Sequence, residues 1–235
     1  MSIRDILQGL SRDDATTPRL TWYGRDGERV ELSARVLDNW VNKAANLLID
    51  EADSQPGDSV GIDLPPGHWR AAYWALAAWS CGATVRLDDG ADVDTLVTAD
   101  PGRVATSRAG VRILVALPAL ARSAYADVPS GVIDEAAELA TYADQFPRHV
   151  TSGSSESAVA LVGPDGVSWN VGSLTDPDQV EGARRHVDAA RLDAAAALRA
   201  MLAAWSTRGS VVVTSAGSLD TLERTLATEG VDWTD

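Results

Sequence analysis

The stretch from Ser59 to Leu87 constrains this chain more than any other part of it. A short run of strand character, Ser59 to Leu64, stops at Pro65-Pro66. An apolar segment then runs from His68 to Cys81, and Ala83 to Leu87 resumes strand character. Within the middle segment Trp69, Ala72, Tyr73, Leu76 and Trp79 recur at helical spacing, while Ala71, Trp74, Ala77 and Ala78 fill the remaining circumference. A helix apolar on all sides is buried between layers. Gly82 supplies the left-handed residue that ends it. Strand, helix and strand in that order form a crossover unit with parallel strands.

The flanking segments extend the pattern. Leu20 to Tyr23 and Arg29 to Leu32 surround Gly24-Arg25-Asp26-Gly27-Glu28, where Asp-Gly favours the positive φ of a tight turn, so a β-hairpin is predicted. Ser33 caps a helix whose Leu37, Val41, Ala44 and Leu48 share one face. Beyond the central unit come strands at Thr95–Thr98, Arg112–Leu117, Ala158–Val162 and Ser210–Thr214. Helices are expected near Gly102–Ala109, Asp134–Tyr142, Pro177–Ala190, Asp193–Thr207 and Leu219–Glu229. Alternation of this kind predicts an α/β fold: a three-layer, doubly wound, mostly parallel sheet with helices on both faces, plus an N-terminal β-hairpin. We read residues 1–235 as a single domain. Its first ten residues make a short amphipathic helix, Ser11 to Pro18 is a polar connector, and 1–18 together form a lead-in free to flex.

Charge and cysteine use narrow the function. A net charge of −14 repels polyanions, so neither nucleic acid nor an anionic membrane surface is an expected partner. The longest apolar window is too short to cross a bilayer. Cys81 is the single cysteine, which rules out an intrachain disulfide, and the N-terminus has no signal-like apolar run; a cytoplasmic location is expected. His68, His149 and His186 lack metal-ligand spacing, so no metal site is expected. The acidic pairs Asp13-Asp14, Asp50-Glu51, Asp88-Asp89 and Asp134-Glu135 each adjoin an element boundary and suit capping or solvation. No G-x-S-x-G elbow occurs.

Several stretches between Leu32 and Asp88 resemble the N-terminal part of the adenylate-forming superfamily, which includes acyl-CoA synthetases and peptide-synthetase adenylation domains. They are Glu31-Leu32-Ser33 with Val41-Asn42-Lys43-Ala44-Ala45-Asn46-Leu47-Leu48, then Gln55-Pro56-Gly57-Asp58-Ser59-Val60, and Leu76 to Leu87 with its Gly82-Ala83 passage. The resemblance implies the fold and, in a full enzyme, ATP, Mg²⁺ and CoA. It also implies a Ser/Thr/Gly phosphate loop with a lysine close behind. The candidate Thr151-Ser152-Gly153-Ser154-Ser155 matches the start of that loop but precedes the strand Ala158–Val162, where the family's loop follows such a strand. Gly163-Pro164-Asp165-Gly166 follows it, as a shortened turn without lysine. Lys43, the single lysine among twenty Lys and Arg residues, sits on a helix flank and reads as solvated. The chain also ends at Asp235, ahead of the family's later adenine, ribose and hinge segments.

The expectation is therefore a noncatalytic, adenylation-domain-like binding or regulatory protein with no catalytic residue and no cofactor of its own. A split enzyme completed by a partner chain, or a carrier for an acyl group, CoA or a nucleotide, is the alternative. Candidate ligand contacts are His68 and Asp88, at the ends of the core strands, and Thr151, Ser152, Gly153, Ser154 and Ser155. Apolar surface is expected to find a second copy or a protein partner. The eight tryptophans, three of them on the central helix, are read as core packing.

Overall fold

A computed structural model describes every residue except 1, 26, 89–91, 125–126, 148–157, 175–179, 216–221 and 235. Helix α1 (Ile3–Asp14) begins in a capping box, with Ser2 accepting from the Asp5 N–H and the Asp5 carboxylate accepting from the Ser2 N–H. It buries Ile3, Ile6, Leu7 and Leu10 and runs one turn past the expected connector start, as far as Asp14. Arg4 fastens it to α2 (Ala34–Ala52) through Asp38 at 3.2 Å and Asn42 at 2.9 Å. The hairpin is present as β1 (Pro18–Tyr23) and β2 (Arg29–Ser33), and Gly27 holds φ 74° in its turn. Ser33 caps α2 as its position predicts.

The central unit forms β3 (Ser59–Asp63), α3 (Trp69–Ser80) and β4 (Thr84–Arg86), with β3 and β4 parallel. All twelve residues of α3 are buried. The reason is its place: α3 meets β3 and β4 on one side and α2 on the other, and touches α1 and α7 (Ala194–Ser206) as well. Trp79 satisfies its indole N–H on the Ala160 carbonyl at 2.7 Å. From β4 the chain continues through β5 (Thr95–Thr98), α4 (Pro101–Thr106), β6 (Val111–Leu114), β7 (Ile133–Asp134) and the single-turn α5 (Glu135–Glu138). The expected helix from Asp134 to Tyr142 is thus split, because α5 passes into a 3-10 turn, Leu139–Thr141.

A mostly parallel seven-stranded sheet, in the order β7-β6-β5-β3-β4-β8-β9, is flanked by these helices. Its last two strands, β8 (Val159–Val162) and β9 (Ser168–Asn170), are antiparallel and lead into the short α6 (Val171–Leu174). The hairpin belongs to a second sheet of five strands, ordered β12-β10-β11-β1-β2. Here β10 (Arg184–Asp188) replaces part of the helix expected over Pro177–Ala190. Gly182 takes φ 73° and donates to the Thr207 carbonyl at 2.8 Å, which starts an extended segment. Arg184 to Asp188 then pair parallel with Ser210 to Thr214 of β11 (Ser210–Thr214), burying His186 and Val187. Pairing in the sheet interior outweighs the weak helix propensity of Arg-Arg-His-Val-Asp. Helix α8 (Leu222–Thr228) and β12 (Trp233–Thr234) close the fold, and among the described residues no helix is long and apolar enough to cross a membrane.

Candidate functional site

Five strands of the two sheets direct their carboxyl ends at one place. Residues at or just beyond the carboxyl ends of β1, β3, β6, β10 and β11 surround a cavity of about 270 Å³, walled by Trp22, Pro66, His68, Leu117 and Ala189, with Arg25, Glu28 and Ser215 as its polar members. Ligands of open α/β sheets lie outside the carboxyl ends of the strands. Gly67 makes the junction close: it holds φ 67°, and a Cβ there would stand 2.4 Å from the Ala189 Cβ and 3.0 Å from Val213. Only glycine fits that approach.

His68 caps α3. Its N–H reaches the Pro65 carbonyl at 3.0 Å, and its Nδ1 accepts from the Arg70 N–H at 3.2 Å. The ring is 4% exposed and lies 4.6 Å from the Trp22 ring at a tilt of 58°. Burial, then the Arg70 charge, pushes the imidazole down to about 3, while the Leu117 carbonyl pulls weakly the other way. His68 is neutral at pH 7. Its sequence reading as a helix cap and its reading as a ligand contact thus fall on one residue.

Beside the cavity lies a buried ionic cluster. Arg70 donates from Nη1 to both carboxylate oxygens of Glu135, at 2.8 and 3.0 Å, and from Nη2 to the Pro118 carbonyl at 3.3 Å. Tyr73 also donates to Glu135. Arg70 and Glu135 are 3% and 1% exposed. Burial raises the Glu135 carboxyl above its ordinary value against the pull of Arg70 and Tyr73. This corrects one half of the Asp134-Glu135 reading. Asp134 does cap α5, accepting from Ala136 and Ala137, but Glu135 is a core counter-ion rather than a solvated acid. An arginine inside an otherwise apolar helix was the available signal; nothing local named its partner 65 residues away.

Lys43 also differs from its solvated reading. Its Nζ donates to the carbonyls of Ala140 and Tyr142 at 2.6 and 2.7 Å. Asn42 and Asn46 hold the next carbonyls, at Asp144, Ala143 and Gln145, with distances of 2.9 to 3.0 Å. One turn of α2 therefore clamps residues 140–145 by their backbone.

Asp88 lies apart from His68. It takes a two-point ion pair from Arg86, at 3.0 and 2.5 Å, and lines a smaller depression of about 170 Å³ with Asp63 and Arg103. The Arg86 hydrogen bonds hold its carboxyl below the ordinary range, against the effect of burial. Thr151, Ser152, Gly153, Ser154 and Ser155 lie outside the described residues. Among the described residues no three His, Cys, Asp or Glu side chains gather as a metal site would require.

The place where a phosphate loop is expected, between β8 and β9, holds the four-residue turn Gly163–Gly166. Gly163 N–H bonds the Val167 carbonyl at 2.8 Å, Gly166 N–H the Gly163 carbonyl at 3.0 Å, and Val167 N–H the Asp165 carboxylate at 3.0 Å. A phosphate cradle presents several such N–H groups to its ligand. Here the N–H groups of Gly163 and Gly166 are spent within the hairpin.

No family model matches the chain. A "TIGR03089 family protein" of Mycobacterium tuberculosis is 39% identical over 152 residues, an alignment that covers 61% of this chain and 62% of that protein. Among solved structures, acetoacetyl-CoA synthetase from Streptomyces lividans superposes with a TM-score of 0.75 at 16% identity, covering all of this chain and 42% of that one. An acyl-CoA synthetase of Brucella canis gives 0.72 at 16% identity, over 100% and 47%. The N-terminal domain of FACL13 from Mycobacterium tuberculosis gives 0.66 at 18% identity, over 100% and 62%. These superpositions establish the fold, which is that of the N-terminal part of acyl-CoA synthetases and AMP-binding ligases. The chain spans less than two thirds of each of these proteins.

Proposed function

We propose that this chain is a noncatalytic binding module built on the adenylating-enzyme fold, which uses the cavity between its two sheets for a small ligand and does not activate carboxylates. The observation that carries the reading is the turn Gly163–Gly166. It follows β8, where the family resemblance leads us to expect a phosphate loop, the N–H groups of Gly163 and Gly166 are bonded within the hairpin, and the turn presents Asp165. A triphosphate there would meet a carboxylate instead of donors and a cation. Lys43, the single lysine, is already bonded to the Ala140 and Tyr142 carbonyls. ATP–pyrophosphate exchange with a panel of carboxylic acids, together with calorimetric titration of Mg·ATP, tests this. The expected result is neither exchange nor saturable nucleotide binding, and exchange by the isolated chain overturns it.

Association with a second copy or a protein partner belongs to the same proposal. It is supported by Val159 and Val167, each about half exposed beside the edge strand β9. Sedimentation velocity checks it, and a monomer at all concentrations with no partner recovered argues against it. The one cysteine, Cys81, is buried with its thiol pushed up to about 12 by burial, which suits a reducing compartment; we place the protein in the cytoplasm.

A further inference from the structure

Trp22 and His68 each carry a buried ring nitrogen that has no hydrogen-bond partner among the described residues. The two side chains are 5% and 4% exposed, their rings are 4.6 Å apart, and both line the same cavity. Other buried ring nitrogens, those of Trp69 and Trp74, also lack a partner among the described residues, but Trp22 and His68 are the two that line this cavity, where an entering molecule can supply one.

The chemistry of that partner follows from the tautomer. Nδ1 of His68 accepts the Arg70 N–H, and burial keeps the ring neutral, so its one proton sits on Nε2. The Leu117 carbonyl interacts weakly with the ring and raises its pKa slightly, but its geometry falls short of a full hydrogen bond to Nε2. The indole Nε1 of Trp22 is a donor only. Both orphans are therefore neutral N–H donors. The walls around them are apolar, formed by Pro65, Pro66, Leu117, Pro118 and Ala189. Of the two charged members, Arg25 and Glu28 oppose each other in sign, and the Glu28 carboxylate already accepts the Ala119 N–H at 2.8 Å. An anion entering this cavity would lose its hydration against walls that hold no buried cation.

We propose that the cavity binds a small, flat, uncharged carbonyl compound, such as an aromatic amide, ketone or lactone, whose oxygen accepts from the ring N–H groups of Trp22 and His68. The proposal rests on the binding-module reading above and adds the chemical class of the ligand. A carboxylate of the same shape would give up its hydration for no buried cation, and a hydrocarbon of the same shape leaves both donors unmet. At about 270 Å³ the cavity suits a two-ring molecule rather than a long chain.

The test uses three probes of one shape: 2-naphthamide, 2-naphthoate and naphthalene. Binding is read by calorimetry and by the indole N–H resonance of Trp22 on the whole chain at pH 7. The expected result is that 2-naphthamide binds best and shifts the Trp22 indole resonance. Trp22→Phe and His68→Asn, which keep a ring and a helix cap respectively, are each expected to weaken the amide about fivefold to tenfold, the worth of a neutral hydrogen bond. Naphthalene binding should change less than about twofold in either variant. If 2-naphthoate binds tighter than the amide while the Trp22 resonance still responds, the cavity is a ligand site but the assignment to uncharged carbonyl compounds is wrong. Equal loss of amide and naphthalene affinity in both variants also refutes it, since the donors would then act by packing alone. If no probe moves the Trp22 resonance, both the ligand class and the use of this cavity fall. Pyrophosphate exchange bears on the noncatalytic reading separately.

Discussion

Replacing Glu135 by glutamine removes one charge from the core and leaves its counter-ion in place. Arg70 would keep its guanidinium at 3% exposure, with only the Tyr73 hydroxyl, the Pro118 carbonyl and a neutral amide oxygen around it. Two charge-assisted bonds from Arg70 and one from Tyr73 end on the native carboxylate, so the substitution weakens all three at once. Breaking a buried ion pair on one side costs about 3–5 kcal/mol, and the amide's retained shape brings the expected loss to about 2–4 kcal/mol. That is a large share of a typical domain's about 5–15 kcal/mol. Arg70 also sits over the Trp69 ring at 4.4 Å, so Arg70→Met loses that contact in addition and strands Glu135. The double variant Arg70→Met with Glu135→Leu removes both charges together and is expected to lie within about 1–2 kcal/mol of the native chain. Urea unfolding followed by tryptophan fluorescence measures the native chain, Glu135→Gln, Arg70→Met, Glu135→Leu and the double variant, and equal m-values secure the comparison. A Glu135→Gln loss below about 1 kcal/mol, or a double variant that equals the sum of its singles, would refute the pairing as the source of the energy.

The remaining predictions concern the rest of the site and its frame. His68 is held neutral with its pKa lowered to about 3, so acid binds the unfolded chain first; its contribution is complete above about pH 6.5 and is lost as pH falls toward 3. The stability difference between the native chain and His68→Asn should shrink over that window with a slope of one proton, and a pH-independent difference contradicts the buried neutral ring. Gly67→Ala forces a Cβ to 2.4 Å from Ala189 at positive φ, for an expected loss of about 2–4 kcal/mol and collapse of probe binding, both readable by unfolding and titration. Glu229 gathers Tyr23, Arg29 and Arg184 onto one carboxylate, and these hydrogen bonds lower its pKa although burial opposes them. Glu229→Gln should cost about 1–2 kcal/mol above pH 5 and progressively less in acid, with faster amide exchange in α8 as the local readout.

Much of the frame was legible in residues 20–87. Asp-Gly and the strand patterns on either side of it placed the hairpin, Ser33 placed the start of α2, and the circumference from Trp69 to Trp79, apolar but for Arg70, announced a helix with a layer on each side. These are local consequences of turn chemistry, capping and periodicity. The same periodicity misread Arg184–Asp188, because a central parallel strand takes its stability from β11 and β12 rather than from its own pattern.

The site divides along the same line. His68 could be singled out from sequence because it follows a strand and two prolines at the start of a helix, both local features. Trp22, Leu117 and Ala189 could not, since they lie in chain segments far apart and meet only where two sheets turn their carboxyl ends inward. Likewise Lys43 looked solvated and Glu135 looked like a cap until the packing of α2 and α3 gave each a partner. By itself the sequence determined which segments are strand or helix along most of its length, and that the stretch after β8 carries no lysine. Only the tertiary structure decided which polar groups meet, because charge pairing and orphaned donors depend on distances between elements, and no local spacing encodes those.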